Sequence, residues 1–526
     1  MSRLLPKDDL GRIGLRWVAA AFSGLILWVI SPPVNLHFLH WFSFVPIFWA
    51  LSPTDDRWNV RAGYVSGWLA VFTLFFWLGE TVVRYSNIPL PLAYVIVAIF
   101  ASAFAVPYGI LMGSVHWLRR NLGVWWVLVL PGVNASFEKL APALFPYYQG
   151  VSQYRVAPTW QLASLIGVIG VSYLILLTNC TLAEAVFRRR EGRRQPWALH
   201  GVVLALFLAN IGYGTWRVAA VEAELAQAPV LRAAILQQGV SMEERLTQPA
   251  RTWLDAWVTQ TRAITSLKPD LVVWPEGSVP YNPGEEKALA YFGDLTKKGG
   301  YDLLMGGGTI DWFVNEKGEK DYTAYNSAYA FNREGALDGR YNKMVPLPFG
   351  EYMPGAKLFP FLKEIIQGPG DFLAGTEVTV FNGSYADPRG GRGRYTYTAP
   401  ICYEAILADQ MWKMKDVDLL VNITNDAWFG DTTCPHQHAM LTAVQAIELG
   451  RPLLRIAYTG ISWVVEPHGA IRYETAPFSD HSSVESIRLG AFETGYRRGG
   501  WMFGWLAVAG TAVSLLVAGR RSRRTA

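Results

Sequence analysis

Cysteine is the first scarcity. The 526 residues contain three, Cys180, Cys402 and Cys434, too few for the disulfide framework that staples small secreted domains. Cys180 lies inside an apolar run, so one bridge at most is available, Cys402 to Cys434; the other reading keeps a thiol for its reactivity. Charge is scarce as well. Charged residues make up 17% of the chain and hydrophobic ones 51%, which excludes several fully water-exposed domains and indicates an integral membrane chain with a soluble part. Internal repeats and low-complexity tracts are absent. Gly306-Gly307-Gly308 lacks the Gly-Lys-Ser/Thr that a phosphate loop needs. Cys434-Pro-His436-Gln-His438 crowds possible metal ligands together, but no fourth ligand stands out and zinc favours separated pairs. The first apolar run has no small-residue cleavage site and leads into a second, so no cleavable signal is expected.

Long apolar runs gather at both ends of the chain. Spans are expected near 13–31, 36–52, 62–80, 89–117, 123–138, 160–186, 199–216 and 501–519, each near the roughly 20 residues that cross a bilayer. The run at 36–52 is short; it reads either as a span or as only a hairpin with the first through Ser31-Pro32-Pro33. Basic residues fix an orientation. Arg3, Lys7, Arg12 and Arg16, Arg57 and Arg61, Arg119 and Arg120, the cluster Arg188 to Arg194, and Arg520 to Arg524 fall on alternate loops and tails. Positive charge stays cytoplasmic, so both termini are expected in the cytoplasm and the soluble segment outside it. These basic segments outweigh the chain's net charge of +5 and leave the rest acidic. The basicity therefore reports membrane orientation and gives no nucleic-acid surface. The domains expected are 1–217, a seven-span bundle; 218–498, a soluble domain; and 499–526, a last span with a basic tail.

Past Val230 the periodicity changes. Short apolar runs at 230–236, 271–276, 302–310, 325–331, 395–401 and 418–425, then PLLRIAY and SWVVEP, alternate with amphipathic patterns such as MEERLTQPARTWLDAWVTQTRAI and PHQHAMLTAVQAIELG. Buried strands alternating with helices predict an α/β domain whose sheets are covered by helices. The stretch 353–377 carries Leu358, Phe359, Phe361, Leu362, Ile365 and Ile366 between Pro and Gly breaks. It reads as a lid, as a membrane-touching arm, or as a loop packed on its own domain.

Three features carry chemistry. Glu276 ends the apolar strand LVVW, where a carboxylate must be paired or protonated, as a general base requires; a strand-end glutamate also caps turns. Lys343 leaves a strand-like stretch for a Pro-rich loop, with Glu351 eight residues on. A fixed ammonium there could hold an oxyanion, although most such lysines are solvated. Cys402 follows the sharp turn Ala399-Pro400, and a helix starting there would aim its amides at the sulfur and favour thiolate. The alternative is a buried inert thiol.

Taken together, Trp274-Pro-Glu276, Tyr341-Asn-Lys343 and Pro400-Ile-Cys402-Tyr403-Glu404 resemble the carbon–nitrogen hydrolase (nitrilase) superfamily over about 230–490. With the spans, VPLPFGEYMP, VNITNDAWFGDTTCPHQH and AIELGRPLLR, the whole chain is similar to the apolipoprotein N-acyltransferase family of the bacterial inner membrane. The resemblance implies an αββα sandwich facing the periplasm and a Glu276–Lys343–Cys402 triad. In it Cys402 is the nucleophile, Glu276 the proton acceptor, and Lys343 with the Tyr403 N–H the oxyanion donors. Glu351, Tyr403 and Glu404 are the supporting groups. It also implies a phospholipid acyl donor, a diacylglyceryl apolipoprotein acceptor, no cofactor, no metal and a monomer. One motif departs: that family often has Gln-Gly-Asn-Ile and then Lys-Trp after the first strand, whereas this chain reads QQGVSMEERL, without the Trp. A membrane-tethered amidase that uses water as acceptor would need the same triad.

Overall fold

The computed structural model describes residues 7–86, 88–141, 145–316, 318–356, 358–359, 361 and 371–525. They form two compact units: Met1–Gly79 with Pro89–Val218 and Thr494–Ala526, and Ala219–Glu493 with the short segment Glu80–Ile88.

The first unit is helical. Among the described residues, four helical stretches are long and apolar enough to cross a membrane: Leu90–Leu140, Val168–Arg190, Trp197–Leu225 and Gly500–Arg524. The pair Asp56–Leu74 and Leu78–Tyr85, bent by 55°, makes a fifth. The run expected as a span near 36–52 folds instead as a 3-10 turn, His37–Phe42, and a six-residue helix, Val45–Ala50. Ala105 and Pro107 break the 89–117 run into Leu90–Phe104 and Val106–Leu122, since proline removes a helical donor. Small residues let these helices touch: a Cβ on Gly63 would lie 2.5 Å from the Tyr108 carbonyl oxygen. One buried carboxylate, Glu184, accepts from Arg119 Nε at 2.8 Å, Arg188 Nε at 2.6 Å and Trp126 Nε1 at 2.7 Å, the pairing a charge inside a bundle requires.

The second unit has two six-stranded sheets. The strands are β1 Val230–Gln237, β2 Leu271–Val273, β3 Asp302–Val314, β4 Lys320–Phe331, β5 Leu337–Asn342, β6 Phe381–Ala386, β7 Arg392–Thr398, β8 Leu419–Thr424, β9 Leu453–Ala457, β10 Trp463–Val465, β11 Ile471–Glu474 and β12 His481–Arg488. One sheet runs β12-β1-β2-β3-β4-β5 and the other β11-β10-β9-β8-β7-β6. Each is built on a parallel triplet, β1-β2-β3 or β7-β8-β9, with antiparallel strands outside it. In these triplets β2, β8 and β9 are buried along their whole length, as strands covered on both faces are. Helices Ala250–Ile264 and Glu286–Gly299 lay Trp257, Val258 and Phe292 on β1–β3 and close one core. Pro249 splits the first of these from the short helix Met242–Thr247. The Gly306-Gly307-Gly308 run acts by close approach. A Cβ on Gly306 would fall 2.6 Å from Glu276 Cα and 2.7 Å from the Pro275 oxygen, so β3 passes directly under the turn that carries Glu276.

Within 353–377, the Leu358, Phe359 and Phe361 side chains are exposed. Leu362, Ile365 and Ile366 lie outside the described residues.

Candidate active site

The chemistry gathers where strands of both sheets end. Glu276 leaves β2 through Trp274 and Pro275, and Trp274 is anchored by its indole N–H on Thr261 Oγ1 at 2.9 Å. Lys343 directly follows β5, and its backbone N–H donates to the Asn326 carbonyl at 2.8 Å. Cys402 follows β7 by a turn in which Ile401 bridges to Ile423 of β8. Two residues at the end of β8 tie the sheets at this point. The Asn425 backbone N–H donates to Glu276 Oε2 at 2.8 Å, and Thr424 lies beside the Cys402 thiol.

All three triad members are buried and close together. Lys343 Nζ stands 3.5 Å from Glu276 Oε1 and 2.7 Å from Glu351 Oε2. Asn326 Nδ2 bridges the same two carboxylates, at 2.6 Å to Glu276 and 2.5 Å to Glu351. The Cys402 thiol lies close enough to Glu276 and Lys343 for both charges to act on it. Desolvation would discharge the Lys343 ammonium, but the carboxylates of Glu351 and Glu276 outweigh it and hold its pKa above the usual lysine value. Glu276 is raised as well, but for the opposite reason: burial, opposed by Lys343, disfavours its charged form and lifts it above an ordinary carboxylate. That is the direction expected of a base working near neutrality.

The elbow at Cys402 differs from the expected helix start. The residue has φ +53° and opens only a five-residue 3-10 turn, Cys402–Ile406. A left-handed φ is costly for a residue with a side chain, and such strained turns present nucleophiles in other hydrolase folds. One short turn supplies little dipole. Burial, and then the Glu276 charge, push the thiol up rather than toward thiolate. At rest Cys402 is therefore a thiol beside a carboxylate, and a thiol in that state attacks only as its proton leaves.

Glu404 is a staple. Fully buried, it accepts from the Tyr341 hydroxyl at 2.9 Å, the Met344 and Val345 N–H groups at 2.6 and 2.9 Å, and the Ile401 N–H at 2.9 Å. It thereby fastens the loop after Lys343 to the elbow before Cys402. Burial raises it to about 7, while four donors and no acceptor favour its ionised form. Glu351 also accepts from the Leu347 N–H at 2.6 Å. Tyr403 is buried beside the thiol, its hydroxyl pushed up to about 12 by burial and Tyr352.

Several contributors carry no sequence signal of their own. Asn326 sits in mid-strand. Behind the thiol, Asp426 binds Arg455 Nη2 at 2.7 Å and His438 Nδ1 at 2.8 Å. Burial would raise Asp426, but the two partners bring it down to about 2. His438, offered above as a metal ligand, is thus engaged by a carboxylate and by the Cys402 backbone. All three cysteines are free thiols. From the segment Glu80–Ile88, Tyr85 stacks on Trp428 with centroids 5.1 Å apart, and Arg84 faces Glu243 at 3.5 Å.

The apolipoprotein N-acyltransferase N-terminal domain matches residues 23–181 and the carbon–nitrogen hydrolase domain residues 232–492. An apolipoprotein N-acyltransferase of Geobacter metallireducens is 29% identical over 99% of this chain and 98% of its own. One of Rhizobium etli is 30% identical over 86% of this chain and 85% of its own. A solved amidase of the nitrilase superfamily from Nesterenkonia AN1 aligns with 51% of this chain and 93% of its own, at 15% identity and TM-score 0.36. With both domains present in this order and relatives matching end to end, the chain belongs to the apolipoprotein N-acyltransferase family.

Proposed function

We propose that this membrane protein N-acylates lipoproteins, with Cys402 carrying the acyl group between donor and acceptor. In the first half-reaction the Cys402 sulfur attacks the ester carbonyl of a phospholipid. Its proton passes to Glu276, and the tetrahedral oxyanion is held by the Lys343 ammonium and the Tyr403 N–H. Collapse breaks the ester C–O bond, the lysophospholipid alkoxide takes the proton from Glu276, and a thioester remains. In the second, the α-amine of a diacylglyceryl-cysteine attacks the thioester and gives its proton to Glu276. The amide forms and the thiol is restored. The observation that carries this reading is the buried Cys402 thiol within reach of the charges of both Glu276 and Lys343, with Lys343 Nζ 3.5 Å from that same carboxylate.

The bundle gives the location a reason. Lifting a sixteen-carbon chain into water costs roughly 12 kcal/mol at about 0.8 kcal/mol per CH₂, so both lipid substrates are best met at the bilayer surface. The alternation of basic loops supports an inner-membrane topology with both termini cytoplasmic and Ala219–Glu493 in the periplasm. The enzyme works as a monomer without cofactor. The test incubates purified protein with phospholipid alone, looks by mass spectrometry for an acyl adduct on Cys402 that hydroxylamine releases, and then offers a diacylated lipopeptide. No adduct in the wild type, or equal activity in Cys402→Ala, defeats the proposal. Discharge to water at the same rate with and without lipopeptide would make the protein a hydrolase.

A further inference from the structure

Arg245 is a buried charge in no ion-pair contact among the described residues; the Glu276 charge acts on it but does not offset its burial. It lies on the helix Met242–Thr247 and is only 8% exposed. Its guanidinium sits 4.3 Å from the Trp253 ring centroid and 4.8 Å from that of Tyr458. A buried cation normally has an anion beside it, because desolvation is otherwise uncompensated. Among the described residues Arg245 forms no ion pair. Its hydrogen bond goes to the backbone carbonyl of Gly277, the residue after Glu276. Glu276 itself is already engaged by Lys343, Asn326 and the Asn425 N–H.

The groups around Arg245 share this excess of donors. Gln238 is 4% exposed; its Oε1 accepts from the Tyr458 hydroxyl at 3.3 Å, while its Nε2 has no acceptor among the described residues. The Trp253 indole N–H has none either. Two aromatic faces fix the plane of a guanidinium whose fork has one acceptor out of five possible donors. An acyl chain needs no such site. A phosphate oxygen does, and Arg pairs with phosphate through two parallel hydrogen bonds.

We propose that Arg245, with Gln238, is the subsite for the phosphodiester of the acyl donor, an inference that rests on the phospholipid-donor reading above. A glycerophospholipid carries its phosphate on the same glycerol as the ester that Cys402 attacks, so an anion held at Gly277 keeps that ester next to Glu276. The phosphodiester is common to all such lipids, so the subsite recognises the class and leaves the head alcohol unread. It also holds the leaving lysophospholipid, which keeps the phosphate.

The test uses the full-length enzyme in detergent and follows the Cys402 adduct with a phospholipid and with a diacylglycerol of the same chains. The wild type is expected to favour the phospholipid. In Arg245→Gln the ratio of the two acylation efficiencies falls by about tenfold to a hundredfold, the range of a charged hydrogen bond, and Arg245→Lys recovers part of it. Equal losses toward both donors overturn the proposal, because they mark a structural role through Gly277. A wild type that takes both donors equally overturns it even if the variant does not fold. An unchanged ratio, with inorganic phosphate inhibiting the wild type and sparing Arg245→Gln, also overturns it: the site then takes the free ion. Absence of adduct from every donor in a folded wild type is the distinct failure of the transferase reading itself.

Discussion

Replacing Glu276 with Gln separates the base from its geometry. The carboxylate accepts from Asn326 at Oε1 (2.6 Å) and from the Asn425 N–H at Oε2 (2.8 Å). A glutamine offers one oxygen and must turn its NH₂ toward the other donor, which forfeits about one charge-assisted hydrogen bond, roughly 1.5–3 kcal/mol. The larger effect is kinetic. Loss of a general base slows the step by about 10²–10⁴-fold, or about 3–5 kcal/mol. Burial and the Glu276 charge both hold the Cys402 thiol up, and Gln removes only the second, so the variant needs spontaneous ionisation. Its residual acylation should climb about tenfold per pH unit through neutrality. The wild type should behave differently. Its base works ionised, and burial raises Glu276, so the rate should fall with acid at a pH above the ordinary glutamate value of about 4.3. The assay is the time course of the Cys402 adduct by mass spectrometry across pH. A Glu276→Gln rate within about tenfold of wild type at neutral pH, or a pH profile parallel to the wild type's, refutes the assignment.

Three further outcomes follow from the geometry. Gly306→Ala drives a methyl to 2.6 Å from Glu276 Cα; adduct formation should drop by more than about tenfold with an unfolding penalty of about 1–3 kcal/mol, and unchanged kinetics would contradict the close approach. Glu404→Ala strands the Tyr341 hydroxyl and three backbone donors; a loss of about 3–5 kcal/mol should appear as a lowered Tm, and an unchanged Tm would disprove the staple. Asp426 is depressed in the fold to about 2, so its stabilisation is present above its unfolded value of about 3.9 and vanishes as pH falls through about 2. Denaturant titration should lose about 2 kcal/mol over that window, and Asp426→Asn should flatten the slope.

Much of the second unit was legible as local pattern. The eight apolar runs past Val230 became β1, β2, β3, β4, β7, β8, β9 and β10: six form the parallel triplets, whose covered faces favour apolar residues, and β4 and β10 pair antiparallel beside them. The strands that escaped, β5, β6, β11 and β12, include edge strands and carry polar or exposed positions; β12, HSSVESIR, shows no apolar run at all. They pair because a neighbour offers free backbone groups, which their own composition does not announce. In the bundle, hydropathy found the apolar stretches but not the breaks, such as the fold of 36–52 into a 3-10 turn and a six-residue helix.

For the site, the sequence by itself determined which side chains could react: a carboxylate after an apolar strand, a lysine after another, a thiol after a proline turn. It could do so because their chemistry and strand-end positions are local properties. Only the tertiary structure decided their company. Asn326 meets two carboxylates across strands, the end of β8 touches both Glu276 and Cys402, and Arg245 lies beside Gly277 with no ion-pair partner among the described residues. Contacts between residues tens of positions apart depend on how sheets and turns pack. The same burial that sets the Cys402 and Glu276 protonation states arises only once the chain has closed around them.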